Sequence, residues 1–285
     1  MELEYLETII FTEIKQGDSM VALDKNIDYE YYIKLMNDYL TKIEKPEFYG
    51  EKFINIFIFG VPRSGTTLLY QVLAYCLDVG YINNLIARFW NAPHIGISLS
   101  KALNIPREVS FKSSLGRTPL ISDPHEFGYF WTKHFKLKHS NTKDVSVDDF
   151  ERDKIDWIEL KKDILLINYF FNKHCIFKNV GTGLFVKEIA SVLNQSVFVY
   201  IERDPFDNAV SLLKAREEFY GDRRKWWSLK PREYHLLKDK SPEEQVVGQV
   251  YYLRKEFENS IKDCDRVIKI TYEELCENPM EIVEI

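Results

Sequence analysis

The chain has 285 residues, of which 45% are hydrophobic and 29% are charged, and this composition excludes disordered, collagen-like and coiled-coil proteins. Lysine and arginine number 38 against 44 acidic residues, so the net charge is −6 and we expect no nucleic acid or heparin partner. Four cysteines without a Cys-x-x-Cys pair are expected to be reduced thiols. Met1 precedes Glu-Leu-Glu rather than a basic segment, and no apolar run approaches 18 residues, so we expect a soluble, cytoplasmic protein without a membrane partner.

The first fifty residues are predicted to be helical and to cover the core. Two groups of apolar residues recur at helical spacing, and each group shares one face of its predicted helix. The groups are Leu3, Leu6, Ile9, Ile10 and Ile14, and then Tyr32, Leu35, Met36 and Leu40. Residues 53–59 are almost wholly apolar and stop at Gly60, which is typical of a strand buried on both faces.

Three later segments have the same apolar, β-rich character as this first strand. They are residues 175–177, 196–201 and 266–270. Helix-start signals occur at Asp204-Pro205, at Ser241-Pro242-Glu243-Glu244 and at Thr271-Tyr272-Glu273-Glu274. Strands that alternate with helices predict an α/β fold with a central parallel sheet flanked by helices.

No linker or repeat divides the chain, so we predict one domain over residues 1–285. Within it we distinguish a helical N-terminal segment at 1–50, a strand-loop-helix unit at 53–80, an irregular insertion at 81–174 and a second α/β half at 175–285. The insertion is expected to lie over the strand ends, where such sheets bind substrates. The chain ends inside a predicted helix, which leaves open whether a C-terminal segment follows.

Residues 60–67, Gly-Val-Pro-Arg-Ser-Gly-Thr-Thr, link the first strand to an apolar helix and predict an anion site. The glycines allow backbone amides to converge on an anion, the helix start adds partial positive charge, and the hydroxyls of Ser64, Thr66 and Thr67 add donors. A nucleoside-triphosphate loop has lysine where this chain has Thr66, and the cation here is Arg63, inside the loop. The alternative is a strand-to-helix turn that needs glycine only for its backbone.

A second group of polar residues follows the strand at 196–201. Arg203 stands at the end of this strand and Ser211 lies less than two turns into the next helix, so the two side chains could hold one phosphate. The alternative is ordinary helix capping, with Asp204 as the N-cap and Arg203 paired to a carboxylate.

Together these segments resemble the sulfotransferases that use 3′-phosphoadenosine 5′-phosphosulfate (PAPS) as donor, over roughly residues 53–280. The resemblance implies that Pro62 to Thr67, with Arg63, Ser64, Gly65, Thr66 and Thr67, form a P-loop-like site for the 5′-phosphosulfate. It implies that Arg203 and Ser211 bind the 3′-phosphate, and that Tyr272 of Tyr-Glu-Glu-Leu lies near adenine. The segments at 53–80 and 175–285 would then bind the donor, and the insertion at 81–174 would bind the acceptor.

The family's catalytic histidine has no equivalent in this chain. The aryl and steroid branch has Lys-Thr-His-Leu-Pro on its middle strand, whereas residues 177–181 read Phe-Lys-Asn-Val-Gly, so only the lysine is kept, as Lys178. Residues 84–90 and 123–131 look more like a bacterial-type branch. Several members of the wider fold use glutamate as the base, so Glu126 is the candidate, with His125 beside it. The alternative is that Glu126 is the third residue of a helix capped by Asp123.

The resemblance implies transfer of a sulfuryl group from PAPS to a hydroxyl of a small acceptor. Arg63 would stabilise the leaving group and Lys178 would screen the transferred group. No histidine, cysteine or carboxylate spacing indicates a metal site, so none is expected. Six aromatic residues suggest a pocket for a partly apolar acceptor, although core packing explains them equally well: Trp90, Phe111, Phe127, Tyr129, Phe130 and Trp131.

Two other functions are consistent with the same residues. One is a nucleotide or small-molecule kinase with a degenerate phosphate loop, which the absence of the loop lysine disfavours. The other is a non-catalytic nucleotide-binding module whose loop only senses its ligand. The acceptor and the oligomeric state are left open.

Overall fold

The computed structural model describes residues 27–46, 50–138 and 145–284, and five strands of this part of the chain form one parallel sheet. The strands are β1 (Asn55–Phe59), β2 (Gly80–Tyr81), β3 (Cys175–Lys178), β4 (Ser196–Glu202) and β5 (Val267–Thr271). Their order across the sheet is β2-β3-β1-β4-β5, which makes β1 the central strand. The predicted α/β fold is therefore confirmed. The edge strand β2 was not predicted, because two residues are too few to form a pattern.

Helices lie on both sides of the sheet. They are α1 (Ile27–Leu40), α2 (Thr66–Cys76), α3 (Pro93–Ala102), α4 (Gly128–His134), α5 (Trp157–Phe171), α6 (Val186–Val192), α7 (Pro205–Tyr220), α8 (Tyr234–Leu237), α9 (Pro242–Ile261), α10 (Tyr272–Glu277) and α11 (Pro279–Glu284). The predicted starts of α7, α9 and α10 are confirmed, since Asp204, Ser241 and Thr271 each accept a backbone amide at the N-cap.

Alternate residues of β1 build two core layers, as expected for a strand that is covered on both faces. Phe57 stacks between Phe177 and Phe198 of the neighbouring strands, with ring centroids 5.5 and 5.4 Å apart. This layer packs against α4, α5, α6, α7 and α9. Ile58 points to the opposite layer, where it packs with α2 and with residues of β3, β4 and β5.

One sequence prediction is wrong in its detail. The face of α1 that includes Tyr32 and Leu35 does not cover the core, since these side chains are 66% and 39% exposed. Among the side chains of α1 that the structure describes, the buried one is Asn37, whose amide donates to the carbonyl of Arg88 at 2.7 Å, so a polar contact helps to attach this helix. The group that begins at Leu3 lies outside the described residues.

The insertion at 81–174 is also more regular than predicted. It contains α3, α4 and α5, and α5 leads directly into β3 as the connecting helix of a parallel sheet. Its aromatic content hid the helical pattern, because α5 is buried on several sides and lacks a clean polar face.

Four strands end at the same edge of the sheet and carry the residues singled out in the sequence. The 60–65 loop follows β1, Lys178 ends β3, Arg203 follows β4, and Tyr272 follows β5. Since the carboxyl ends of parallel strands meet at one edge, residues that are more than 200 positions apart are brought together there.

Candidate active site

The loop between β1 and α2 has the geometry of an anion site. Arg63 and Gly65 have φ values of 73° and 99°, so the chain turns sharply before the helix. Gly65 is the N-cap of α2 and has no side chain to cap it, so the first amides of α2 remain available to an anion. Ser64 is fully buried, and its Oγ has no hydrogen-bond partner among the described residues. An uncapped helix start with a buried, unpaired hydroxyl fits a phosphosulfate group.

Tyr272 closes one side of this loop. A Cβ placed on Gly65 would lie 2.3 Å from Cδ2 of Tyr272, so the ring packs directly against the glycine. The guanidinium of Arg203 lies over the same ring, 4.4 Å from its centroid. Burial raises the pKa of Tyr272 to about 12, which keeps the phenol neutral. Glycine is therefore needed at 65 both for its backbone and for the space that Tyr272 takes.

The residues predicted for the 3′-phosphate meet the loop. Nε of Arg63 donates to Oγ of Ser211 at 3.2 Å, and Nη1 of Arg203 donates to the carbonyl of Arg63 at 3.4 Å. Nε of Arg203 is buried without a partner in the described chain. Burial lowers the pKa of Arg63, while the nearby carboxylate of Glu218 opposes this shift.

The helix-capping alternative holds only in part for this group. Asp204 does cap α7, but Arg203 faces a tyrosine ring rather than any carboxylate of the described residues. Two guanidinium groups and a hydroxyl are thus gathered here, and the buried Nε of Arg203 has no partner in the described chain, which is an arrangement that suits a bound phosphate.

Lys178 and Glu126 form an ion pair at the end of β3. Nζ of Lys178 lies 3.0 Å from Oε2 of Glu126, with the lysine side chain 9% and the glutamate side chain 36% exposed. Glu126 precedes α4, which begins at Gly128 with Phe127 as its N-cap, so the capping alternative for Glu126 is wrong. The Asp123 carboxylate instead accepts from the amides of Ser110 and Leu120.

His125 has a different environment from its neighbour. Its Nδ1 accepts the amide of Phe127 at 2.9 Å, so a neutral ring carries its proton on Nε2. The nitrogen that could accept a proton is therefore already used by the backbone, whereas the Glu126 carboxylate keeps a free oxygen lone pair beside its contact with Lys178.

Two cavities meet at Glu126. The loop cavity, of about 250 Å³, is lined by Arg63, Gly65, Thr66, Thr67, Lys178, Arg203 and Tyr272 among others. The aromatic cavity, of about 570 Å³, is lined by Trp90, Tyr129, Trp131, Phe135, Phe219 and His125 among others. Six of the described residues line both cavities: Leu115, Gly116, Glu126, Val180, Trp227 and Ser228. Within that described set, the carboxylate of Glu126 is the one acidic group that the two linings share.

The six aromatic residues predicted for an acceptor pocket divide into two groups. Trp90, Tyr129 and Trp131 line the aromatic cavity. Phe127 and Phe130 stack on each other in the core, 4.6 Å apart, and Phe111 packs against Tyr75 in the opposite layer. The packing alternative is therefore correct for these last three.

Some residues of the site carry no sequence signal. Nδ2 of Asn208 donates to the carbonyl of Pro62 at 2.8 Å and ties the loop to α7. Leu115 and Gly116 form a tight turn with φ values of 51° and 85°, and the turn reaches the junction of the two cavities. Trp227 lines both cavities. A Ser-Leu-Gly-Arg sequence indicates a turn, but nothing local indicates what the turn faces.

Comparison with known proteins decides the family. A sulfotransferase-family profile matches residues 55–284, which includes all five strands and every residue of the two cavities except those of α1. The chain belongs to the sulfotransferase family. It is therefore a member of a family of transferases, and that family uses a PAPS-type sulfate donor.

Several solved sulfotransferases are similar to this chain in structure. Sulfotransferase STF9 from Mycobacterium avium aligns over 90% of this chain and 66% of its own chain, with 12% identity and a TM-score of 0.50. Sulfotransferase STF1 from Mycobacterium tuberculosis aligns over 99% of this chain and 81% of its own chain, with 11% identity and a TM-score of 0.48. The sulfotransferase domain of the curacin biosynthetic pathway aligns over 82% of this chain and 72% of its own chain, with 13% identity and a TM-score of 0.44. No curated protein matches at a significant level.

Two features are absent from the described residues. No helix in them is long and apolar enough to cross a membrane. No cluster of three or more histidine, cysteine or acidic side chains in them could hold a metal ion.

Proposed function

We propose that this sulfotransferase moves a sulfuryl group from PAPS to a hydroxyl of a small, partly apolar acceptor, and that residues 1–285 act as one catalytic domain. The observation that carries the proposal is the junction of the two cavities at Glu126. An anion site on one side and an aromatic cavity on the other, with a carboxylate between them, provide for a charged donor, an apolar acceptor and a base.

The loop cavity is the proposed donor site. The amides at the start of α2 and the hydroxyls of Thr66 and Thr67, which line this cavity, would hold the 5′-phosphosulfate, and the buried Ser64 hydroxyl lies behind the lining. Arg203, which lines the cavity, would hold the 3′-phosphate together with Ser211, which lies behind Arg63, and Tyr272 would lie beside the adenine. The contact between Arg63 and Ser211 supports this assignment, because it joins the two phosphate sites through one guanidinium.

The donor, when bound, supplies a sulfuryl group activated by its phosphate leaving group. The bond from sulfur to the bridging oxygen breaks with its electron pair remaining on the nucleotide, and a bond from sulfur to the acceptor oxygen forms. Arg63 would stabilise the charge on the leaving phosphate, and Lys178 would screen the transferred oxygens. Glu126 would take the proton of the acceptor hydroxyl.

Lys178 and Glu126 would also position each other. Lys178 lines the loop cavity and Glu126 lines both cavities, so their 3.0 Å contact would hold the ammonium beside the donor and the carboxylate at the junction. We propose Glu126 rather than His125 as the base, since Nδ1 of His125 already accepts a hydrogen bond from the amide of Phe127.

The aromatic cavity is the proposed acceptor site. Its volume of about 570 Å³ is within the range of sites for small organic molecules. Trp90 and Tyr129 form a ring pair 4.6 Å apart in its wall, and rings of this kind bind apolar or aromatic groups. The hydroxyl to be modified would reach Glu126 where this cavity joins the loop cavity.

The test is transfer of radiolabelled sulfate from PAPS to a panel of phenols, alcohols and sugars, with and without EDTA. We expect labelled product and 3′-phosphoadenosine 5′-phosphate in equal amounts, and full activity in EDTA, since sulfuryl transfer develops less charge than phosphoryl transfer. Turnover of ATP with a strict Mg²⁺ requirement would favour the kinase. Tight PAPS binding without product across the panel would favour a binding module.

A further inference from the structure

A short turn, residues 226–229, forms a wall that both cavities share. Trp227 and Ser228 line the loop cavity and the aromatic cavity, and Leu229 lines the aromatic cavity. Ser228 has φ 68°, a left-handed conformation that costs free energy for a residue other than glycine. Such a conformation persists only where surrounding contacts hold it, so the contacts of this turn are informative.

One side chain donates hydrogen bonds to the turn on both sides of Ser228. Nε2 of Gln249, on α9, donates to the carbonyl of Trp227 at 3.1 Å and to the carbonyl of Leu229 at 2.9 Å. Gln249 is fully buried. Both protons of a single amide are therefore directed at the two carbonyls that flank the strained residue.

The orientation of this amide is set by Arg216. The Arg216 side chain is fully buried, and its Nη2 donates to Oε1 of Gln249 at 3.2 Å while its Nη1 donates to Oε1 of Gln245 at 2.7 Å. A guanidinium has only donors, so Gln249 must turn its oxygen toward Arg216 and its nitrogen toward the turn. The ring of Trp226 covers the guanidinium at 4.6 Å.

No carboxylate of the described residues forms an ion pair with Arg216. Burial lowers the pKa of Arg216 to about 10, so the group is still charged at neutral pH. A buried charge that is solvated only by amide oxygens, a carbonyl and an aromatic ring is costly. Its donors and the two carbonyls of the turn together fix the direction of the Gln249 amide, with the oxygen toward Arg216 and the nitrogen toward the turn.

We infer that Arg216 and Gln249 are positioning residues that hold the 226–229 turn and thereby fix the wall common to the donor and acceptor cavities. The consequence for the donor rests on the proposed function, whereas the hold on the turn does not. Neither residue touches the reacting atoms, since both lie behind the turn and line neither cavity.

The test compares Gln249→Glu with Gln245→Glu. Both variants exchange an amide for a carboxylate that still accepts from Arg216, so charge and size change equally. Gln245→Glu removes donors only from the carbonyls of Lys238 and Lys240, which line neither cavity. Gln249→Glu removes both donors from the turn. The readouts are deuterium exchange of the free protein in the 226–230 peptide, and binding of 3′-phosphoadenosine 5′-phosphate by calorimetry.

We expect Gln249→Glu to speed deuterium exchange in the 226–230 peptide and to weaken nucleotide binding about tenfold, which corresponds to the loss of about one hydrogen bond. We expect Gln245→Glu to change the exchange rate and the nucleotide affinity by less than about twofold each. If Gln249→Glu does not fold, as judged by circular dichroism, Gln249→Met removes the same donors without adding charge and takes its place.

Equal exchange in the two variants would overturn the inference, and so would faster exchange at the turn with unchanged nucleotide affinity. If the wild-type protein does not bind the nucleotide, the proposed function fails. The exchange comparison then still decides whether Gln249 holds the turn. Unchanged exchange in the Gln249 variant would show that Gln249 does not hold the turn.

Discussion

Replacing Glu126 by Gln tests the proposed base directly. The Oε1 of the new amide can accept from Nζ of Lys178 as the carboxylate does at 3.0 Å, but the amide cannot take a proton. Glu126 is 36% exposed but Lys178 only 9%, so the variant leaves a nearly buried ammonium without its counter-ion and should cost about 1 to 3 kcal/mol of stability, between the values for exposed and buried pairs. Losing a general base should lower kcat by about 10² to 10⁴, which is about 3 to 5 kcal/mol of transition-state stabilisation.

The assay is sulfate transfer from PAPS to the acceptor found in the panel, together with calorimetry of 3′-phosphoadenosine 5′-phosphate. The variant should bind this nucleotide within about threefold of wild type, because the loop amides and both arginines remain. Thermal melting should show a folded variant whose Tm is lowered by up to about 10 °C, since the expected loss of stability is about 1 to 3 kcal/mol.

His125→Asn is the matched control. An asparagine oxygen can accept the amide two residues on, so the contact to Phe127 at the start of α4 is kept while the imidazole is removed. We expect this variant to retain most of its activity. A Glu126→Gln enzyme that keeps more than a tenth of wild-type kcat, or a His125→Asn enzyme that loses most of it, would refute the assignment of the base.

Three further outcomes are expected from the donor site. 3′-Phosphoadenosine 5′-phosphate should bind more tightly than AMP by about 1.5 to 3 kcal/mol, because Arg203 and Ser211 would contact the extra phosphate; equal affinities by calorimetry would remove the 3′-phosphate site. Arg63→Ala should lower kcat more than it weakens nucleotide binding, and a change confined to KM would make Arg63 a binding residue only. Gly65→Ala should abolish measurable nucleotide binding, since φ is 99° and the new Cβ would lie 2.3 Å from the Tyr272 ring; binding within about tenfold of wild type would contradict this packing.

The amino-acid sequence by itself determined the fold class and the strand-loop-helix unit that lines the loop cavity. Buried strands at 55–59 and 196–202 appear as apolar runs, and the start of α7 follows from local capping at Asp204. The phosphate loop is a local feature too, because its glycines, hydroxyls and helix start are consecutive in the chain. The strands, the helix start and the loop each depend on residues within a few positions of one another, so the local sequence pattern predicts them.

The tertiary structure alone decided which of these residues meet and what surrounds them. Arg63 contacts Ser211 across 148 positions, and Lys178 contacts Glu126 across 52. Local spacing also allowed Glu126 to be part of a helix capped by Asp123, and only the start of α4 at Gly128 excludes this. Cavity walls such as Trp227, and the buried amide and guanidinium that hold them, arise from distant elements packed at the edge of the sheet. Their positions depend on how whole helices fit together, and no local spacing in the chain encodes that fit.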